Sequence, residues 1–223
     1  MQRHFDTDLA NLKQQLLTMG SHAEIAVSNS IKSLLDRDEP LARKVIEDDN
    51  ILDTCEVELD DRGISLIALN APIASDLRLV TVAMKISRDL ERVGDEATTI
   101  ARRVIELNAE PQLKPYVDIP RMASLALCML KDALDAFVEK NPAKARAVVP
   151  RDKEVDNINK QLHRELVSFM IERPTSITRA LHLMTISKAL ERIADHAANI
   201  AEEVVFLYES RDIRHQQLNN GPT

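Results

Sequence analysis

The sequence predicts an all-α protein built as two tandem, sequence-related three-helix bundles, six long antiparallel helices in all. Composition is the first reason: 223 residues contain Gly 4, Trp 0 and 3% aromatics, so turn punctuation and strand formers are both scarce. Periodicity is the second. Leu79, Ala83, Ile86, Leu90, Val93, Ala97, Ile100 and Val104 alternate gaps of four and three, as do Leu183, Ile186, Leu190, Ile193, Ala197, Ile200, Val204 and Leu207; this is the seam of a helix bundle. Duplication is the third. Ile86–Ala101 (ISRDLERVGDEATTIA) and Ile186–Ala201 (ISKALERIADHAANIA) are identical at nine of sixteen positions.

The elements follow from the breaks between periodic stretches. The first half gives segments near Asp6–Leu35, Leu41–Leu69 and Ser75–Leu107, separated at Pro40 and Pro72. Asp38 stands where a side-chain N-cap belongs. Residues 109–117, with Pro111 and Pro115, form a linker between a first bundle (1–108) and a second (118–210). The second half gives Ile119–Glu139, Ala143–Ile171 and Ser176–Glu209, with Asn141-Pro142 as a helix start and Pro174 as a break. The third segment of each half is expected to be longest and most buried. Arg211–Thr223 lacks periodic apolar content and is expected to be a loose tail. Short turns between long helices make neighbours antiparallel.

Charge and composition exclude several classes. A net charge of −7 disfavours direct contact with a nucleic-acid backbone and favours cations or basic protein surfaces. Cys55 and Cys128 stand singly, with no CxxC, as in a reducing compartment. The charged start, MQRHFDTDLANLK, is not a signal peptide, and no apolar run is long enough to span a bilayer. A cytoplasmic protein that meets the membrane only through partners is expected.

The polar half of the repeat points to chemistry. Asp49/Asp53, Glu91/Asp95, Asp152/Asp156 and Glu191/Asp195 are carboxylate pairs four residues apart, one turn on one helix face. In each hairpin between second and third segments, the midpoints of the two pairs are equidistant from the turn, at Pro72 and at Arg173-Pro174. Each half therefore brings four carboxylates level. Four carboxylates at one height repel unless neutralised, and their hard oxygens suit magnesium, calcium, manganese or oxidised iron. They lie off the Leu90/Val93 stripe, so a shallow surface groove is expected. Small neighbours, Ser87, Gly94 and Thr98, then Ser187, Ala194 and Ala198, leave room for a cation or an approaching helix. The plainer reading is a solvated acidic face paired with Arg92 and Arg192. His196 replaces Glu96 and reads as a surface histidine or an extra ligand, His182 as packing, and Met84 and Met184 as core or interface.

These residues resemble the PhoU family of phosphate-signalling regulators. The resemblance lies in the twin LER-(V/I)-x-D motifs, in Pro72-Ile73-Ala74-Ser75-Asp76-Leu77-Arg78 and in the Asp49/Asp53 and Asp152/Asp156 pairs, and it extends over nearly the whole chain. It implies two tandem three-helix bundles. It also implies metal, multinuclear in some members, on E(D)xxxD motifs: here Asp49, Asp53, Glu91, Asp95, Asp152, Asp156, Glu191 and Asp195, with Mg, Mn, Fe or Zn as candidates. By the same resemblance the chain is a non-enzymatic negative regulator of phosphate-starvation signalling. It would link the ATPase subunit of a phosphate ABC transporter to a sensor histidine kinase, and it is expected to form a homodimer. No Gly-rich phosphate loop is present. Two rivals remain at this stage: a ferritin-like di-metal oxidase or store, which calls for a Glu-x-x-His absent from this chain, and a purely structural bundle. No Ser or Cys sits in a triad or nucleophile elbow.

Overall fold

The computed structural model describes residues 2–211 and 213, and among them every regular element is helical. The tail expected at 211–223 therefore lies largely outside the described residues. The first half comprises α1 (Gln2–Asp36), α2 (Glu39–Asn70) and α3 (Ala74–Asn108). The second comprises α4 (Asp118–Glu139), α5 (Pro142–Val148), α6 (Asp152–Glu172) and α7 (Ile177–Glu209). The two halves pack on each other through α3 and α7.

Local chemistry accounts for the helix boundaries. Asp38 accepts a hydrogen bond from the Leu41 N–H at 3.0 Å, and Asn141 accepts one from Lys144 N–H at 3.0 Å. Each satisfies one of the orphaned donors of a first helical turn, with a proline just inside. α2 stops at Ala71, which adopts φ 44° and donates its N–H to Ile67 O. Pro72 follows, where the hairpin centre is expected.

The fifth expected helix departs from expectation. The stretch anticipated as one helix, Ala143–Ile171, is divided into α5 and α6 by a tight turn at Val149–Arg151. Pro150 has no N–H to give the carbonyl one turn earlier, and its ring crowds that turn. The chain continues in the same general course, so six helical columns remain.

Burial singles out α3 and α7. Leu90, Ile86, Val93, Leu190, Ile186 and Ile193 are fully buried, and these two helices are the spine of the joint core. Length does not single out α3, because α1 also has 35 residues. The linker is tied to both halves. Arg37 donates to Asn108 O at 2.9 Å and Glu110 O at 2.8 Å, and Arg179 of α7 donates to Pro111 O at 2.9 Å.

The α3–α7 pairing is antiparallel and its flanks are polar. Lys85 meets Glu203 at 3.1 Å, Asp89 meets His196 at 2.9 Å, Glu96 meets Arg192 at 3.0 Å and Glu106 meets His182 at 3.1 Å. As α3 numbers rise, α7 numbers fall, and the two LER motifs lie on either side of the crossing. The two helices are thus related by a local two-fold axis that passes near Gly94 and Ala194. His182, expected as packing, meets Glu106 across this joint. The α2–α3 turn sits beside the end of α7, where Arg78 reaches Leu207 O at 3.4 Å. The α6–α7 turn sits beside the end of α3. The two turns are therefore at opposite ends of the molecule, about 50 Å apart at 1.5 Å per residue. Both carry exposed apolar side chains: Leu69 (79%) and Ile73 (77%) at one, Ile171 (77%) and Leu181 (51%) at the other.

Candidate functional site

The α2–α3 hairpin brings Asp49, Asp53, Glu91 and Asp95 together, in the register expected from the turn. Burial raises the Asp49 carboxyl above its ordinary range, and Asp53 and Asp95 push it further up; the Thr98 hydroxyl and Arg102 pull it back. Burial also raises Glu91, to about 7, aided by Asp95, Glu56 and Asp53 against the opposing pull of Arg92. Arg92 lies 3.3 Å from Glu91 Oε2 and 3.0 Å from Asp95 Oδ2.

The second cluster repeats the arrangement between α6 and α7. Burial pushes Asp152 up, with Asp156 and Glu191 adding to it, while contact with Asp195 and the charge of Lys153 oppose. Asp195 is raised to about 6 by burial first and by Asp152 next. Two carboxyls in such contact are comfortable only when a proton or a cation stands between them. Glu191 is only 9% exposed, deeper than a shallow groove implies, and its Oε2 meets Lys188 in an ion pair.

The small residues beside the clusters admit a helix. Gly94 is buried, and a Cβ there would lie 2.4 Å from Leu52 Cδ1 and 3.2 Å from Asp49 Oδ1. Ser87 and Ser187 are buried too, and Ser187 donates to Asn159 at 2.8 Å. The histidine at position 196 turns away from its own cluster and pairs with Asp89 of α3. Met84 and Met184 pack against the core.

Whether these groups suit a cation is answered by their donors. Every candidate ligand is a carboxylate oxygen, which matches a hard cation. Buried Glu91 Oε2, Glu191 Oε2 and Asp152 Oδ1 have no aligned hydrogen-bond donor, although the two glutamates have ion-pair neighbours. The donor chemistry therefore fits. The geometry is open: among the described residues no three His, Cys, Asp or Glu side chains are already gathered around one point. The clusters are charged and level, and a cation would draw them inward by side-chain rotation.

Periodicity continued past the expected ligands would have reached three further residues. Glu56 extends the Asp49/Asp53 face by one turn. Arg102 extends the Asp95/Thr98 face. Glu202, at the position equivalent to Arg102, lines a 390 Å³ groove with Asp152, Lys153, Asp195 and Asn199. Two other cavities, of about 440 Å³ between α1 and α2 and about 450 Å³ along the α3–α7 flank, lie away from the α2–α3 and α6–α7 carboxylates.

Fold and site together define a class: tandem three-helix bundles carrying one level carboxylate cluster per hairpin, with no helix among the described residues long and apolar enough to cross a membrane. The chain belongs to the PhoU family, whose model, the PhoU domain, matches residues 16–104 and again 119–204. It is 40% identical to a Rhizobium meliloti (strain 1021) protein over 91% of this chain and 86% of that one. It is 39% identical to an Aquifex aeolicus (strain VF5) protein over 95% of this chain and 96% of the other. Both relatives are named phosphate-specific transport system accessory protein PhoU homolog. The crystal structure of PhoU from Pseudomonas aeruginosa superimposes with a TM-score of 0.90 at 38% identity, covering 93% of this chain and 100% of that chain. The Streptococcus pneumoniae phosphate transport system regulatory protein PhoU gives a TM-score of 0.88 at 30% identity, over 94% and 99%.

Proposed function

We propose that this protein is a non-catalytic accessory regulator of phosphate transport. It joins the ATPase subunit of a phosphate ABC transporter to a sensor histidine kinase and keeps starvation signalling off when phosphate is plentiful. The names of its relatives support the transport role. The observation that carries the adaptor role is the local two-fold: two equivalent hairpins present exposed apolar turns at opposite ends of one rigid α3–α7 pair. One molecule then engages two partners at once, and linkage raises the effective concentration of the second contact. The carboxylate clusters bind cations, which neutralise the acidic hairpins and tune their contact with a charged partner surface. A ferritin-like oxidase is disfavoured because its ligands face the bundle core, whereas these lie on the α2–α3 and α6–α7 flanks.

The test is a tagged chain recovered from phosphate-replete cells, alongside a deletion strain. The ATPase subunit and the kinase should co-purify, and deletion should leave starvation genes expressed in rich phosphate. A deletion strain without a second family copy that silences those genes normally would defeat the reading. The protein is expected to act as a homodimer, which sedimentation equilibrium would check.

A further inference from the structure

The groove of about 440 Å³ between α1 and α2 has polar walls where a helix pair ordinarily packs apolar side chains. Asn11, Gln14, Gln15 and Thr18 line it from α1 at the i, i+3, i+4, i+7 spacing of a packing face, and Glu58 and Arg62 line it from α2. Glu58 precedes Arg62 by four residues, the order that favours an ion pair along a helix. Among the described residues neither has an ion-pair or hydrogen-bond partner. Arg62 is half-buried, so its charge is partly withdrawn from water with nothing in the chain to answer it. Gln15 Oε1 is buried without a donor, and rotation of its amide turns it into the groove. The second half closes the same place. At the spacing that relates Asp38 to Asn141 and Asp49 to Asp152, Asn11 corresponds to Lys114, Glu58 to Gln161 and Arg62 to Glu165. Lys114 and Glu165 meet in an ion pair. In the first half an amide stands in place of that lysine, and the α2 charge is left facing the groove.

The helices run antiparallel about the turn at Arg37-Asp38, so Thr18 lies towards the Glu58 end and Asn11 towards the Arg62 end, with Gln15 between. One end therefore offers a carboxylate and a hydroxyl to a cation. The other offers a guanidinium and amide N–H groups to an anion, and the middle offers an amide oxygen to an N–H. The two charges are about 6 Å apart along the helix axis. An extended dipeptide spans about 7 Å from ammonium to carboxylate and carries an amide N–H between them; a single α-amino acid spans about half of that. We propose that this groove binds a zwitterionic peptide of dipeptide length, its ammonium on Glu58 and its carboxylate on Arg62. The site goes beyond the adaptor reading and does not depend on the carboxylate clusters.

The test is calorimetric titration of the full chain with L-alanyl-L-alanine, beside alanine and the N-acetylated dipeptide. The dipeptide should bind at least about tenfold more tightly than either comparator. Glu58→Gln and Arg62→Gln, each checked for an unchanged circular dichroism spectrum, should weaken it by a similar factor. Glu58→Gln should make no further difference to the N-acetylated form. As a second readout, the dipeptide should slow alkylation of Cys55, which lines the same groove, in a Cys128→Ser chain. No binding together with no protection of Cys55 overturns the site and leaves the adaptor reading standing. Binding that both substitutions leave unchanged lies elsewhere and overturns the assignment. Binding that responds to Arg62→Gln alone, with the N-acetylated dipeptide as tight as the free one, overturns the zwitterion.

Discussion

Adding one methyl group at Gly94 should destabilise the protein, although alanine is the better helix former. The new Cβ would lie 2.4 Å from Leu52 Cδ1, against the 3.5–4.0 Å at which two carbons attract. Leu52 is 2% exposed and has little room to move. Overpacking of this kind costs about 1–3 kcal/mol, and replacing a mid-helix glycine recovers about 1 kcal/mol. A 2.4 Å contact belongs at the upper end of the overpacking range, so a net loss approaching about 2 kcal/mol is expected, or a Tm lower by about 4–8 °C for a chain of this size. The second half supplies its own remedy. The equivalents of Gly94 and Leu52 are Ala194 and Val155, both fully buried: one carbon is added to the helix and one is removed opposite. Leu52→Val should therefore rescue Gly94→Ala, though alone it should cost about 1 kcal/mol. The assay is urea denaturation followed by far-ultraviolet circular dichroism on the four members of the double-mutant cycle, with metal removed. Independent, additive effects would refute the argument, as would a single Gly94→Ala variant as stable as the parent.

Other outcomes follow from the core and the clusters. Leu90→Ala or Leu190→Ala should each cost about 2–5 kcal/mol in the same denaturation assay, because both are fully buried mid-seam. Metal-free protein should lose stability as pH rises from about 4.5 towards 7, since Glu91 binds its proton more tightly when folded than when unfolded. The penalty is absent at low pH and complete above about 7. After allowance for solvent screening it is about 1–3 kcal/mol. Glu91→Gln should remove this part, so a parent-minus-variant stability difference that stays constant from pH 5 to 8 would contradict it. A cation should raise the Tm of the parent by binding only the folded state, and Asp95→Asn with Asp195→Asn should abolish most of that rise. A double variant that shifts like its parent would show that the cation binds elsewhere.

The fold was largely legible because its signals are local. The alternating gaps in α3 and α7, the N-caps at Asp38 and Asn141, and the Pro72 turn all act within a few residues of themselves. The level carboxylates were legible for the same reason, since a short hairpin fixes register from its turn outward. What escaped lies between the halves or within a turn. His182 and His196 find their acidic partners on α3, and no periodicity within α7 points to them. Pro150 sits in a stretch whose apolar spacing continues on both sides, so the interruption left no mark on the pattern. Glu56, Arg102 and Glu202 lie on the same faces as the expected ligands, one or two turns further on. The repeated motif does not point to them, because these positions are where the repeats differ.

The local two-fold between α3 and α7 has an evolutionary consequence. Two identical short chains meeting through this helix would form an isologous pair, and the linker at 109–117 makes the same contact intramolecular. Identical subunits inherit every substitution twice, so an arginine at one cluster would appear at the other. Covalent fusion released that constraint. The arginine at 102 and the glutamate at 202 are differences that a symmetric dimer of one gene product is unable to carry. Duplication within one chain thus keeps the shared interface while leaving each outer hairpin free to vary on its own.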